Sequence, residues 1–253
     1  MPNPPLPLHE KSVLVTAGAR RVGAAIVRRL HAAGARVMVH YWRSGAEARA
    51  LVAALNAQRA GSAAQVKANL LQSSAPALLV NKTLQAFGRL DALVNNASSF
   101  YATPLNQINE AAWLDLMGTN LKAPLFLAQA AAAELKKRRG SIVNIVDIHA
   151  DFPLKDYALY SVAKGGLAAL TRTLAHELAP AVRVNGVSPG PILWPDSAVW
   201  KNPKTRRAIT DRTLLKRTGE PDDIARAVEF LLVSAPYITG QIIAVDGGRS
   251  ITL

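Results

Sequence analysis

The chain contains no cysteine among its 253 residues. Disulfides, thiol nucleophiles and zinc–thiolate sites are therefore excluded, and no metal site is expected. No apolar run reaches the ~18 residues needed to span a bilayer. The first ten residues are proline-rich without a long apolar stretch, unlike a secretory signal; a loose tail over residues 1–10 and a cytoplasmic location are expected. Acidic residues are scarce, 17 against 30 lysines and arginines, for a net charge of +13. Such a charge raises the question of nucleic acid. The basic residues are scattered, however. Their densest run (Lys201, Lys204, Arg206, Arg207, Arg212, Lys216 and Arg217, opposed only by Asp211) has no zinc finger, basic zipper or RNA-binding aromatic signature beside it. The charge is read instead as a source of solubility and as steering for anionic ligands.

With half its residues hydrophobic, the chain can bury one large core. From residue 12 short apolar strands alternate with alanine-rich helical stretches. Strands are expected at 12–17, 36–41, 64–70, 92–95, 141–146, 182–187 and 242–245, with helices at 22–33, 46–58 and 75–87, one before Gly140 and one after Tyr160. Near-continuous apolar strands separated by helices predict an α/β, Rossmann-type, doubly wound parallel sheet of about seven strands with helices on both faces. Residues 11–253 thus form a single catalytic domain. The stretch from Pro189 to about Arg217 holds four prolines and two tryptophans and reads as an irregular substrate lid over 189–217.

The first strand runs into Thr16-Ala17-Gly18-Ala19-Arg20-Arg21-Val22-Gly23 before a helix. A glycine-bearing turn there sets backbone N–H groups and a helix N-terminus against a pyrophosphate, and Arg20 and Arg21 add charge. A plain tight turn is the alternative, because the three-glycine fingerprint is incomplete. The second strand ends in His40-Tyr41-Trp42-Arg43-Ser44, where an NAD site usually has an acid. Guanidinium and hydroxyl groups suit a 2′-phosphate, so NADPH is expected over NADH.

Tyr160 and Lys164 are four apart and share one helix face, with Asp147 thirteen residues earlier. An ammonium beside a phenol favours the phenolate, so the Tyr160 pKa is expected to fall. A phenol so tuned can pass a proton to a carbonyl or imine.

These pieces together resemble the short-chain dehydrogenase/reductase family over almost the whole chain. The resemblance rests on Thr16–Gly23, Asn95-Asn96-Ala97-Ser98, Asn120, the Tyr160/Lys164 pair, Ser188-Pro189-Gly190 and Val245-Asp246-Gly247-Gly248. Within it, Arg20-Arg21-Val22-Gly23, His40–Ser44, Asn96–Tyr101 and Asp147, which stands where most members have serine, are most similar to the pteridine reductases. Ala17 replaces the first glycine of the turn, and Asn69 the usual aspartate after the third strand.

The resemblance implies cofactor contacts from Arg20, Arg21, Val22, Gly23, His40, Tyr41, Arg43 and Ser44. It implies further ones from Asn69, Leu70, Asn96, Ala97, Ser98, Tyr160, Lys164, Pro189, Gly190 and Ile192. A pterin or folate would stack between nicotinamide and Phe100, held at its polar edge by Arg21 and Ser98, with Trp194 in the lid. Asp147, Tyr160, Lys164 and Asn120 would be catalytic: Tyr160 and Asp147 handle the proton, Lys164 binds the nicotinamide ribose, and Asn120 holds a water. A homotetramer joined through the long helices and the last strand is implied. Phe100 also fits a core role, Asp147 a capping role, and Trp194 and Trp200 plain packing. The alternative substrate is a 3-oxoacyl thioester.

Overall fold

The computed structural model describes residues 7–195 and 198–253. Seven strands, β1 (Ser12–Val15), β2 (Arg36–Tyr41), β3 (Ala63–Lys67), β4 (Ala92–Asn95), β5 (Ser141–Ile145), β6 (Arg183–Pro189) and β7 (Ile242–Val245), form one sheet. Their order is β3-β2-β1-β4-β5-β6-β7, and every pairing is parallel. Strand order reverses between β1 and β4, so the crevice above their carboxyl ends is the natural ligand position of such a sheet.

Side chains alternate across a strand, and here both faces are buried. Val13, Val15, Val37 and Val39 pack with Ile26 and Leu30 of α1 (Arg21–Ala32), Leu51 of α2 (Gly45–Gln58), and Ile224 and Val228 of α9 (Pro221–Val233). Leu14, Met38 and Leu93 face the other way. They meet Leu79 of α3 (Ala75–Phe87), Leu127 and Leu135 of α5 (Ala123–Arg138), and Leu174 of α6 (Ala158–Leu178). Helix α4 (Glu110–Met117) joins α5 through a π-helical turn, Gly118–Lys122, that contains Asn120.

Two features differ from the sequence expectations. Residues 1–6 lie outside the described residues, but the end of the expected loose tail is anchored. Leu8 is buried in the core, and its N–H donates to Ala33 O at 2.9 Å. The 189–217 stretch is not irregular throughout. It carries α7 (Ala198–Lys201) and α8 (Pro203–Arg212). Pro203 occupies the first helical position, where its missing N–H costs nothing, and the Asn202 side chain accepts from Lys204 N–H at 2.9 Å as N-cap. Proline there starts a helix rather than breaking one.

Candidate active site

A cleft of about 1330 Å³ opens at the carboxyl ends of the strands. All the residues expected to touch cofactor or substrate line it, from Arg20 on the first turn to Trp194 beyond β6; of the expected catalytic residues, only Asn120 does not.

Hydrogen bonds lace the two central strand ends together. Thr16 Oγ1 accepts from the N–H groups of Asn96 and Ala97, both at 2.9 Å, and Asn96 Nδ2 donates to Thr16 O at 2.9 Å. A Cβ on Gly23 would lie 2.2 Å from Ala17 O and 2.7 Å from Asn96 Nδ2, so only glycine fits there. Ala17, in the place of a glycine, adopts φ +48. The turn keeps a glycine-like left-handed conformation at a cost of about 1–2 kcal/mol.

His40, near the end of β2, braces this turn. Its Nδ1 accepts from Ala17 N–H at 3.0 Å, which leaves the proton on Nε2, 3.1 Å from Ala68 O. Burial pushes its pKa down to about 4, partly offset by the Ala68 carbonyl. The ring is therefore a neutral strut inside the wall and offers no charge to a phosphate. Asn69 closes its own turn, with Oδ1 accepting from Leu71 N–H at 3.1 Å. Arg20 pairs with Glu47 at 3.6 Å. Arg21 reaches across the cleft, donating from Nη2 to Leu193 O at 3.0 Å and Trp194 O at 3.3 Å.

On the opposite side, Tyr160 lies in the first turn of α6 and is buried. Its hydroxyl donates to Asp147 Oδ2 at 2.7 Å, while Asp147 Oδ1 accepts from His149 N–H at 2.8 Å. The carboxylate thus both caps the turn after β5 and faces the phenol. Lys164, one helical turn on, is also buried. Its Nζ donates to Ile145 O at 2.9 Å and lies 5.7 Å from the Tyr160 ring centroid. The two groups share one side of the helix, but the expected fall in the Tyr160 pKa does not occur. Burial, the Asp147 charge and the hydrogen bond to it push the pKa well above the ordinary phenol value, against a small opposing effect of the Ser98 hydroxyl. Burial is the largest cause, and the carboxylate in hydrogen-bonding contact adds to it. Tyr160 is therefore a fully protonated acid at neutral pH. Burial instead lowers Lys164 to about 8, against the pull of Asp147.

Asn120 is fully buried behind this wall. Its Oδ1 accepts from Ser98 Oγ at 2.7 Å, and its Nδ2 donates to Ser99 O at 3.0 Å and Leu116 O at 2.9 Å. Both amide hydrogens are committed, so the side chain braces the Ser98 segment.

Phe100 is both core and lining. It packs with Leu116, Leu159 and Tyr160, stacks on Tyr157 at 4.6 Å, and meets the Tyr160 ring edge-on at 4.8 Å. Trp200 Nε1 donates to Tyr157 Oη at 3.3 Å, and Trp200 stacks with Trp194 at 6.2 Å. Arg206 lies over the Trp194 ring at 5.5 Å and donates to Trp200 O. Tyr157, which immediately precedes α6, is not among the expected site residues; it backs the Phe100 ring and does not itself line the cleft.

The arrangement can hold a long ligand across the switch point, grip its anionic part on main-chain groups, and present a protonated phenol beside an aromatic wall. The family model described as enoyl-(acyl carrier protein) reductase matches residues 17–250. The chain is 40% identical to pteridine reductase 1 of Leishmania tarentolae, over 94% of this chain and 96% of that one. It is 35% identical to the 3-oxoacyl-(acyl-carrier-protein) reductase FabG of Staphylococcus epidermidis, over 94% and 98%, and 32% identical to 3beta-hydroxysteroid dehydrogenase 1 of Eggerthella lenta, over 96% and 95%. With this match along nearly its whole length, and with the Tyr160/Lys164 pair set at the mouth of a doubly wound sheet, the chain belongs to the short-chain dehydrogenase/reductase family and is an oxidoreductase.

Proposed function

We propose that the protein is an NADPH-dependent reductase of pterins, taking dihydropteridine or dihydrofolate-type substrates to their tetrahydro forms. The observation that carries this reading is the 2.7 Å contact between the Tyr160 hydroxyl and Asp147, set in front of Phe100. A ketone needs one proton donor at one oxygen. A ring with adjacent N–H and C=N groups also needs an acceptor that holds its orientation, and a carboxylate supplies that. The 40% identity to the Leishmania pteridine reductase points the same way.

NADPH would supply the hydride when bound. The Thr16–Gly23 turn, Asn96, Ala97 and Ser98 would hold it in the dinucleotide half of the cleft, with Arg43 and Ser44 at the adenosine end and the residue 189–192 strip along the nicotinamide. The residues fit such a ligand: the turn is closed by glycine and alanine, which leave main-chain groups accessible, and no acidic side chain stands between Tyr41 and Gly45.

Tyr160 donates its proton to the substrate nitrogen. The phenolate left behind is opposed by Asp147 and stabilised by the Lys164 ammonium, by about 3 kcal/mol for a charge roughly 6 Å away at an effective dielectric of ~20. The raised phenol pKa makes Tyr160 a donor that stays loaded until hydride transfer makes the acceptor nitrogen basic. Segment 189–217 acts as the lid, with Trp194 against the substrate. A cytoplasmic homotetramer completes the reading. Trp113, Phe126 and Val162 on α4, α5 and α6 remain 45%, 41% and 58% exposed, and β7 is an open edge strand.

The test is a rate comparison with NADPH and three substrates: dihydrobiopterin, dihydrofolate and an acetoacetyl thioester. Turnover of either heterocycle well above that of the thioester is expected. Preference for the thioester would overturn pterin reduction in favour of the ketoacyl chemistry that the name of the Staphylococcus relative describes.

A further inference from the structure

A second, smaller cavity of about 340 Å³ adjoins the cleft at the end of β2, with Tyr41, Trp42 and Arg43 lining both. Its remaining lining is Gly45, Arg49 and Lys67. Three cations and two aromatic rings therefore surround one hollow, and no lining residue is acidic. Lys67 ends β3 directly opposite Tyr41, and its Nζ sits 5.4 Å over the Trp42 ring. Arg49 folds across the start of α2: a Cβ on Gly45 would come within 3.6 Å of Arg49 Nη1 and 3.3 Å of Tyr41 Cε2. Glu47, the nearest acid in the chain, is engaged by Arg20. Among the described residues, Arg43, Arg49 and Lys67 make no ion pair. The Ser44 side chain does not cap α2, so that helix start adds its own positive end. Like charges gathered around a hollow repel one another unless an anion joins them.

We propose that this cavity takes a dianionic phosphate monoester, the 2′-phosphate of the coenzyme, and that Lys67 and Arg49 share with Arg43 the discrimination of NADPH from NADH. The proposal rests on the reading that the enzyme uses NADPH, and it extends that reading to two residues beyond the end of β2. Trp42 has a defined part: its ring holds the Lys67 ammonium in place, which limits the side-chain freedom lost when a phosphate arrives. Selectivity divided among three cations also predicts that Arg43→Asp alone shifts the preference toward NADH without inverting it.

The experiment titrates 2′,5′-ADP and 5′-AMP, which differ by that one phosphate, into the intact protein and into Lys67→Gln, Arg49→Gln and the double variant. KM values for NADPH and NADH are measured on the same set. All the altered side chains are exposed, and circular dichroism checks the fold. Wild type is expected to prefer 2′,5′-ADP. Each single variant should weaken 2′,5′-ADP roughly tenfold, the lower end for a charge-assisted hydrogen bond. 5′-AMP affinity should hold, and the KM for NADPH should rise without a matching rise for NADH. Retained 2′,5′-ADP preference in the double variant would overturn the role of Lys67 and Arg49 while leaving NADPH use intact. A wild type that binds both nucleotides equally would overturn NADPH selectivity itself, and this proposal with it.

Discussion

The two halves of the cleft are built from different materials. In the proposed dinucleotide half, the turn after β1 offers main chain: the Thr16 hydroxyl and the Asn96 amide brace the backbone of Ala17, Asn96 and Ala97, and Gly23 is required by a 2.2 Å approach. Its one titratable strut, His40, is sealed in the wall as a neutral ring. The proposed substrate half is made of side chains: Phe100, Tyr160, Trp194 and Trp200 come from three separate segments and meet as rings, with Tyr157 backing Phe100. Main-chain recognition is tolerant of surface substitution and specific to one turn shape. Side-chain recognition can be retuned one residue at a time. A scaffold that hosts many substrates on one fold would be expected to divide the labour this way.

If the halves are separable, damage to one should spare the other. Tyr160→Phe should lower kcat about 10²–10⁴-fold, the usual worth of a positioned general acid, while NADPH binding followed by fluorescence titration stays intact. A parallel loss of coenzyme binding would break the division. Acid should do the converse. His40 holds a pKa of about 4 in the fold against 6.5 when unfolded, so the native state binds fewer protons between those values and stability rises with pH there. About 3 kcal/mol should be lost as pH falls from 6.5 to 4. Urea unfolding at neutral pH and at pH ~4.5 would measure it, and His40→Gln should flatten the dependence.

Asp147→Ser should cut pterin reduction about 10–100-fold, as expected for removing a charged hydrogen-bond partner, with thioester reduction falling less. Equal losses would make the carboxylate a cap of its turn and nothing more. Lys164 titrates near 8, lowered from 10.5, so its ammonium is present below that pH and lost above it. kcat/KM should decline about tenfold per pH unit beyond ~8, while Tyr160, raised well above the phenol range, remains protonated. The smallest effect belongs to Ala17. Ala17→Gly relieves a left-handed alanine but frees the unfolded chain, and the two terms leave a gain below about 1 kcal/mol, a shift of a few degrees in Tm.

Much of this could be read from the sequence, and what could be read was local. β2, β4 and α3 fall on the expected residues because a buried parallel strand is a run of apolar residues and α3 ends at a left-handed glycine, Gly88; β7, an edge strand, keeps the same apolar run without being buried. Tyr160 and Lys164 could be paired because one helical turn separates them. What could not be read depends on tertiary burial. Nothing in His-Tyr-Trp-Arg-Ser says that the histidine points inward, and the side chain of Asp147 reaches Tyr160 only because β5 delivers it there. The helical spacing of Lys164 shows a nearby ammonium but neither the burial of Tyr160 nor the Asp147 carboxylate, and these two raise its pKa. Helix α8 is not legible from Pro203 alone, because a proline signals either a break or a beginning, and only Asn202 before it decides.

The π-helical turn at Gly118–Lys122 inserts a phase shift into an otherwise unbroken rod. Each α-helical residue turns the chain by about 100°. Removing one residue from this turn would therefore rotate everything downstream on α5 relative to α4 by that angle, swinging the Asn120 amide away from Ser98 and unmooring the segment that carries Phe100. The irregularity acts as a gear between the two helices, and its tooth count, more than any single side chain on it, sets where the aromatic wall stands.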